Sequence, residues 1–467
     1  MLNQRFWATG PFNRLCKAVA LVLLMAGAIR GVSTKPVTVD FTQYYMAGLI
    51  ARHGHWDALY PIPKPGAEKH PGYSDSSIMR PRYRELLQAE GVHDYNRFVQ
   101  APPVALLLLP LGFFDYQTAN DLWVFLNAIC LWLVALQAAR ILRLLGGRSR
   151  LEGLLVVLIA CSPMCQFAIR IGNISPIVGL CVGSAAMGLV TEDRLRSSLG
   201  MVVGAFAKFV TLVFVPLYVL ARRWRVLITS SLLSLLLCLA TLAVAGEGPF
   251  VTFAREMMPT FGRPNDGWGS ITASSFLSRL YGSAPIPKQA ERVVRAVELV
   301  LIILGAIGLL RSRRELPEDP VKLLAASLAM VGGFLIFSPL AWGHHLVYLV
   351  PFWGYLVWEA KQSPWSRWAI VMALSLQWAT REAIERKDVF NLTEKLERNA
   401  FLGTYELWGT LFVVTFAMAR LYGPSRPKYM PQAVNAAPQG RLPDGPSPRS
   451  VDAKEPGAPP MSRPQEL

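Results

Sequence analysis

RRWRVLITSSLLSLLLCLATLAVA, running from Arg222 to Ala245, decides the fold. An arginine-rich head is followed by a stretch from Val226 to Ala245 without a charged residue, long enough to cross a hydrocarbon layer of about 30 Å as a helix. Runs of this kind recur from about Val19 to Leu421, and the short loops between them are basic in alternation. That pattern is the mark of a polytopic membrane protein whose arginine-bearing loops stay on the cytoplasmic side.

Composition agrees. With 52% hydrophobic and only 17% charged residues, the 467-residue chain has too little polar surface for a soluble protein of its size. The net charge of +16 would suit nucleic acid, but the excess sits in short loops flanking apolar runs, which argues for the bilayer and against a nucleic-acid partner. The six cysteines lie in or beside apolar runs, and Cys161 and Cys165 lack zinc-finger partners, so they read as small hydrophobes. The N-terminal basic head (Arg5, Arg14, Lys17) and apolar core lack a small-residue cleavage site, so they read as an uncleaved first span.

Placing the N-terminus inside fixes the rest. The first span (16–33) leads out to a long polar stretch at 34–100. A helix at 118–142 returns to Arg143, Arg148 and Arg150, and spans at 151–169 and 174–191 form an outward hairpin. Residues 199–221 then have to start and end inside. Lys208 in a continuous span would cost about 2.5–3.5 kcal/mol, so two half-helices meeting at Lys208 are expected there. The segment from Pro102 to Phe114 raises the same parity problem and is read as a short element dipping in from outside. Spans at 226–245, 290–310, 321–338, 345–360, 366–381 and 401–422 complete about ten full passes, within a range of about ten to thirteen, with both termini cytoplasmic. The expected organisation is an all-α transmembrane domain over 1–423, with outer loops at 34–100, 247–289 and 382–400. A tail at 424–467, rich in Pro, Gly, Ser and charge, should be disordered and cytoplasmic.

This topology gathers the polar motifs on the outer face: 40–60, 100–103, 170–176, 268–279 and 338–345. At these residues the chain resembles a known family. The run Asp40-Phe-Thr-Gln-Tyr-Tyr-Met-Ala-Gly, the run Ala101-Pro-Pro-Val-Ala-Leu-Leu-Leu-Leu-Pro, and Ser338-Pro-Leu-Ala-Trp-Gly-His-His345 look like glycosyltransferase family 87. The resemblance implies a GT-C fold, a polyprenyl-phosphate sugar donor, hexosyl and most plausibly mannosyl transfer, and no cofactor or metal. Two positions depart from the family pattern: Gly172-Asn173 stands where Gly-Gln is common, and Ala101 replaces a tyrosine before the prolines.

Each candidate also has a plainer reading. Asp40 is either a helix N-cap, with Gln43 completing a capping box, or the general base that a hydroxyl acceptor needs when the leaving phosphate needs no acid. Asp57 is the fallback base and otherwise a turn residue. His344 and His345 are either a polar helix end beside an interfacial Trp342, or N–H donors to a departing phosphate. Arg170, Lys208 and Arg279 are candidate phosphate ligands whose ordinary explanation for the first two is snorkelling. Asn173, Trp342, Tyr44 and Tyr45 complete the expected substrate-binding set, with Asp40, His344 and His345 catalytic. His53-Gly-His55, with His70 and His93, could suggest zinc, but the spacing is not that of a helical pair and no cysteine accompanies it outside the membrane. Two functions fit: a plasma-membrane glycosyltransferase working by inverting displacement on a lipid or glycan hydroxyl at the outer leaflet, or a transporter of lipid-linked saccharides. A transporter should hold its polar groups near the midplane on broken helices. The clustering at one face favours the enzyme.

Overall fold

A computed structural model describes residues 10–33, 39–61, 79–92, 96–259, 270–281, 286–338, 341–362, 364–378 and 404–424. His70, His93, all of the 382–400 loop and all but the first residue of the 424–467 tail therefore lie outside the described residues. Within them the chain is helical, with an isolated antiparallel bridge between Ser270 and Trp342.

Five described helices are long and apolar enough to cross a membrane: Gly10–Ser33, Tyr116–Leu144, Trp224–Ala245, Lys288–Ser312 and Pro320–Phe337. The protein is an all-α, multi-pass membrane protein. Trp224–Ala245 and Lys288–Ser312 bury only 17% and 11% of their apolar windows, and Leu232, Leu236, Ile302 and Leu310 stand exposed, so these two helices face lipid. Tyr116–Leu144 and Pro320–Phe337 bury 61% each and form the interior. Tyr116–Leu144 starts where Asp115 accepts the Thr118 N–H at 2.9 Å, an N-cap bond.

The remaining expected passes fall, among the described residues, on shorter or interrupted helices. The expected span at 151–169 bends by 49° between Cys161 and Pro163. Ser162 is extended there, because a residue before proline is pushed out of the helical region. Arg194–Lys208 stops at Lys208 as the buried charge requires, and Phe209 turns the chain in the left-handed conformation (φ 57°) before Val210–Val213 and Phe214–Leu220. The 345–360 pass is a ten-residue 3-10 helix, Gly343–Phe352, carrying Pro351 and continued by Trp353–Glu359.

Ion pairs on two buried glutamates tie helix ends together. Glu152 accepts Arg143 Nε at 2.9 Å and Asn13 Nδ2 at 3.2 Å, and Glu359 accepts Arg420 Nε at 2.9 Å.

The dipping element, Pro102–Leu108 and Leu109–Phe113, crosses Val39–His53 with backbone nearly touching backbone. A methyl group on Gly112 would stand 2.5 Å from the Gly48 carbonyl oxygen, and one on Gly48 would stand 2.5 Å from the Leu108 carbonyl oxygen. Arg52 Nη1 closes the crossing by donating to the Gly112 carbonyl at 2.7 Å. Gly112→Val is expected to force this crossing apart at a cost of about 1–3 kcal/mol, read as a lower unfolding temperature in detergent. An unchanged unfolding temperature would show that the crossing is looser than its geometry.

Candidate functional site

Asp40 is the second residue of helix Val39–His53. Gln43 is buried with its Oε1 unpaired, so the capping box is not formed. The Asp40 carboxylate is held instead by side chains from two distant segments: Asn96 Nδ2 donates to Oδ1 at 3.1 Å, and Asn173 Nδ2 donates to Oδ2 at 2.7 Å. Burial pushes its pKa above the ordinary aspartate value, and the Asn173 bond, the Lys208 charge and the Asn96 bond draw it part of the way back. Asp57 lies exposed on the turn Trp56–Ala58.

Lys208 ends its helix half-buried, close enough for its charge to act on Asp40, His344 and His345, and it makes no ion pair among the described residues. The histidines are not a polar helix end. His344 is 8% and His345 4% exposed, with ring centroids 4.4 Å apart, and His345 lies parallel to Tyr348 at 5.3 Å. His345 Nδ1 accepts the Trp342 N–H at 3.1 Å. A neutral imidazole accepting at Nδ1 carries its proton on Nε2, and Nε2 is buried with no partner among the described residues.

His345 helps to line a cavity of about 410 Å³. Its polar lining is Lys208, Ser338, His345 and Tyr348. The rest is apolar, including the stripe Met330, Gly333, Phe334 and Phe337 on Pro320–Phe337.

Not every expected residue joins this group. Tyr44 does: it is fully buried, its hydroxyl meets the Ile174 N–H at 3.4 Å, and its charge state is coupled to Asp40. Tyr45 donates to the Phe114 carbonyl at 3.0 Å and packs edge-on to Tyr116, which places it against the dipping element. Arg170 ends Pro163–Arg170 with its stem beside Gly31, outside the cavity wall. Arg279 donates to the Ser270 carbonyl at 3.0 Å, and Ser270 is bridged to Trp342, so Arg279 braces the turn that precedes the histidines. Asn173, read as a substrate ligand, is 3% exposed with both ends of its amide engaged. His53 and His55 stack at 6.3 Å, His55 meets Arg82 at 3.1 Å, and among the described residues no group of three His, Cys, Asp or Glu is placed to hold a metal ion.

Sequence reasoning missed four contributors. Asn96 carries no periodic or compositional signal. Ser175 and Tyr348 sit in apolar runs, where a helix terminus and an interfacial aromatic are the ordinary readings. Glu406, 7% exposed, places its carboxylate beside Gly343, immediately before the histidine pair.

Compared with known families, residues 98–339, more than half of the chain, match the profile of glycosyltransferase family 87. The chain belongs to glycosyltransferase family 87. No curated protein matches it. The family 87 match takes in Arg170, Asn173, Lys208, Arg279 and most of the cavity wall, while Asp40 and Tyr44 precede it and Trp342, His344 and His345 follow it. Family 87 membership makes this membrane protein a glycosyltransferase. The cavity and the carboxylate lie where elements from inside and outside the matched stretch meet.

Proposed function

We propose that the protein transfers a hexosyl unit, in this reading a mannosyl unit, from a polyprenyl phosphate to a hydroxyl of a lipid or glycan acceptor at the outer leaflet of the plasma membrane. The observation that carries this reading is the cavity: a largely apolar lining that includes Lys208 and His345, whose Nε2–H has no partner among the described residues, with Asp40 within electrostatic reach of the same lysine. An isoprenoid chain suits the apolar part. A phosphate suits a cation and an N–H donor held where negative charge develops.

In the inverting displacement, Asp40 takes the proton of the acceptor hydroxyl as its oxygen bonds to the anomeric carbon. The bond from that carbon to the phosphate oxygen breaks, and the polyprenyl phosphate departs with the electron pair. Its charge is met by Lys208 and His345, so the leaving group needs no proton. The outer placement rests on the alternation of basic loops, with both termini and the 424–467 tail on the cytoplasmic side.

The test uses the full chain in lipid nanodiscs, offered polyprenyl-phosphate sugars radiolabelled in the hexose together with a panel of lipid and glycan acceptors. Label is expected to move to an acceptor from a polyprenyl-phosphate donor. Transfer from a nucleotide sugar alone would overturn the donor assignment. In sealed vesicles, movement of intact lipid-linked sugar across the bilayer without transfer would favour a transporter.

A further inference from the structure

We propose that Asn173 is a positioning residue for Asp40, its amide turned to one sense by Ser175 so that it holds the carboxylate in the plane from which the acceptor's proton is taken. The proposal rests on the reading of Asp40 as the base. An asparagine amide presents an oxygen and a nitrogen of similar size, and only its partners set which end faces which way. Here the partner is decisive. The backbone N–H of Ser175 donates to Asn173 Oδ1 at 2.8 Å, and a backbone N–H can only donate; the Ser175 hydroxyl adds a second bond to the same oxygen at 2.5 Å. The NH₂ end is thereby directed to Asp40 Oδ2.

Asn96 meets the other oxygen, so the two carboxylate oxygens are held from two chain segments, 56 and 133 residues away, and rotation of the carboxylate is blocked. The turn that carries Asn173 is itself fastened to helix Tyr116–Leu144. Trp123 Nε1 donates to the Gly172 carbonyl at 2.7 Å, and Asn127 Nδ2, one helical turn on, donates to the Asn173 carbonyl at 3.1 Å. Gly172 takes a left-handed φ of 65°, and a side chain there would stand 2.9 Å from Phe41 Cβ, beside Asp40. The turn can approach the carboxylate this closely only as glycine. Ser175 also meets the Tyr348 hydroxyl at 3.4 Å, and Tyr348 stacks on His345, so one serine touches both the base's support and the phosphate side of the site.

An amide is suited to this task because it donates a hydrogen bond without adding charge. A lysine or arginine in its place would hold the carboxylate at the cost of its basicity. A sugar ligand should present a free amide end, and Asn173 presents none.

The experiment compares Asn173→Ala, Asn173→Ser and Asn96→Ala in the full-length protein by steady-state kinetics across pH, and by isotope-edited infrared titration of the Asp40 carboxyl without substrate. For Asn173→Ala, turnover is expected to fall about tenfold or more with donor KM unchanged. The acid limb of the pH profile should move to higher pH. The sign follows from the chemistry: transfer needs ionised Asp40 and is lost as pH falls through its pKa, and removing an N–H donor to the ionised form raises that pKa. Asn96→Ala should move the limb the same way through the other oxygen, which keeps the proposal testable if Asn173→Ala does not fold. Wild-type turnover with an unmoved limb, or a rise in donor KM alone, would overturn the proposal and make Asn173 a packing residue or a sugar ligand. If the wild-type protein transfers no sugar, the functional reading fails by itself. The infrared titration still decides whether Asn173 acts on the carboxylate.

Discussion

Asp40→Asn is expected to insert in the membrane and remain folded while transfer falls by about 10² or more, the scale of a general-base contribution. The change keeps size but not hydrogen-bond sense. Asp40 accepts from Asn96 at one oxygen and from Asn173 at the other, and an amide at position 40 can accept at only one. One donor is left facing another, which costs about 1–3 kcal/mol in stability. A lower unfolding temperature should therefore accompany the loss of activity, and the two must be measured together. The decisive quantity is turnover of the folded fraction. If that fraction turns over at close to the wild-type rate, Asp40 is an element of architecture and the base lies elsewhere.

His345→Ala is expected to cost about 2.7–4 kcal/mol in turnover, as removal of one oxyanion donor does elsewhere. The lost group is the Nε2–H of a cavity-lining residue, which on the proposed reading gains a partner when the phosphate carries its full charge. The loss should fall on the chemical step and be the same for every acceptor, since leaving-group stabilisation does not depend on which hydroxyl attacks. The substitution also takes the acceptor from the Trp342 N–H, so Trp342 fluorescence is the control for a displaced turn. A chelator should leave the rate unchanged, because the cationic and N–H groups do the work a metal would otherwise do. Activity abolished by chelation and restored by a divalent ion would transfer the role to a metal and bring His53 and His55 back into consideration.

Much of the fold was legible because bilayer chemistry leaves few choices. Val226 to Ala245 has no charge and can only cross, and Lys208 in an apolar stretch has a cheap solution in ending a helix, which is what the chain does. The parity of the basic loops announced a short element from Pro102 to Phe114, although nothing in it showed that Gly112 would meet Gly48 across the crossing. The bend at Ser162 was signalled by Pro163 but hidden by the length of the apolar run around it. Expecting about ten passes from hydropathy also smoothed over the difference between five long helices and the shorter, interrupted ones. Within the site, the residue types that chemistry demands stood out: Asp40, Lys208 and the histidine pair. The groups that orient them did not. Asn96 matters through a hydrogen bond to a residue 56 positions away, which leaves no mark in local spacing, and Ser175 through bonds to its near neighbour Asn173 at the head of an apolar run.

The 3-10 winding of Gly343–Phe352 has a consequence of its own for the spacing of these groups. With about three residues per turn, positions three apart lie in one column, about 6 Å of rise separating neighbours. His345, Tyr348 and Pro351 form such a column, and the parallel rings of the first two follow from it. Rewound as an α-helix, the same residues would be offset by about a sixth of a revolution and drawn closer along the axis. The imidazole would swing off the phenol and out of its place in the cavity lining. The ten-residue segment therefore acts as a gauge block: the pitch of its backbone, as much as the identity of its side chains, sets where the His345 imidazole stands.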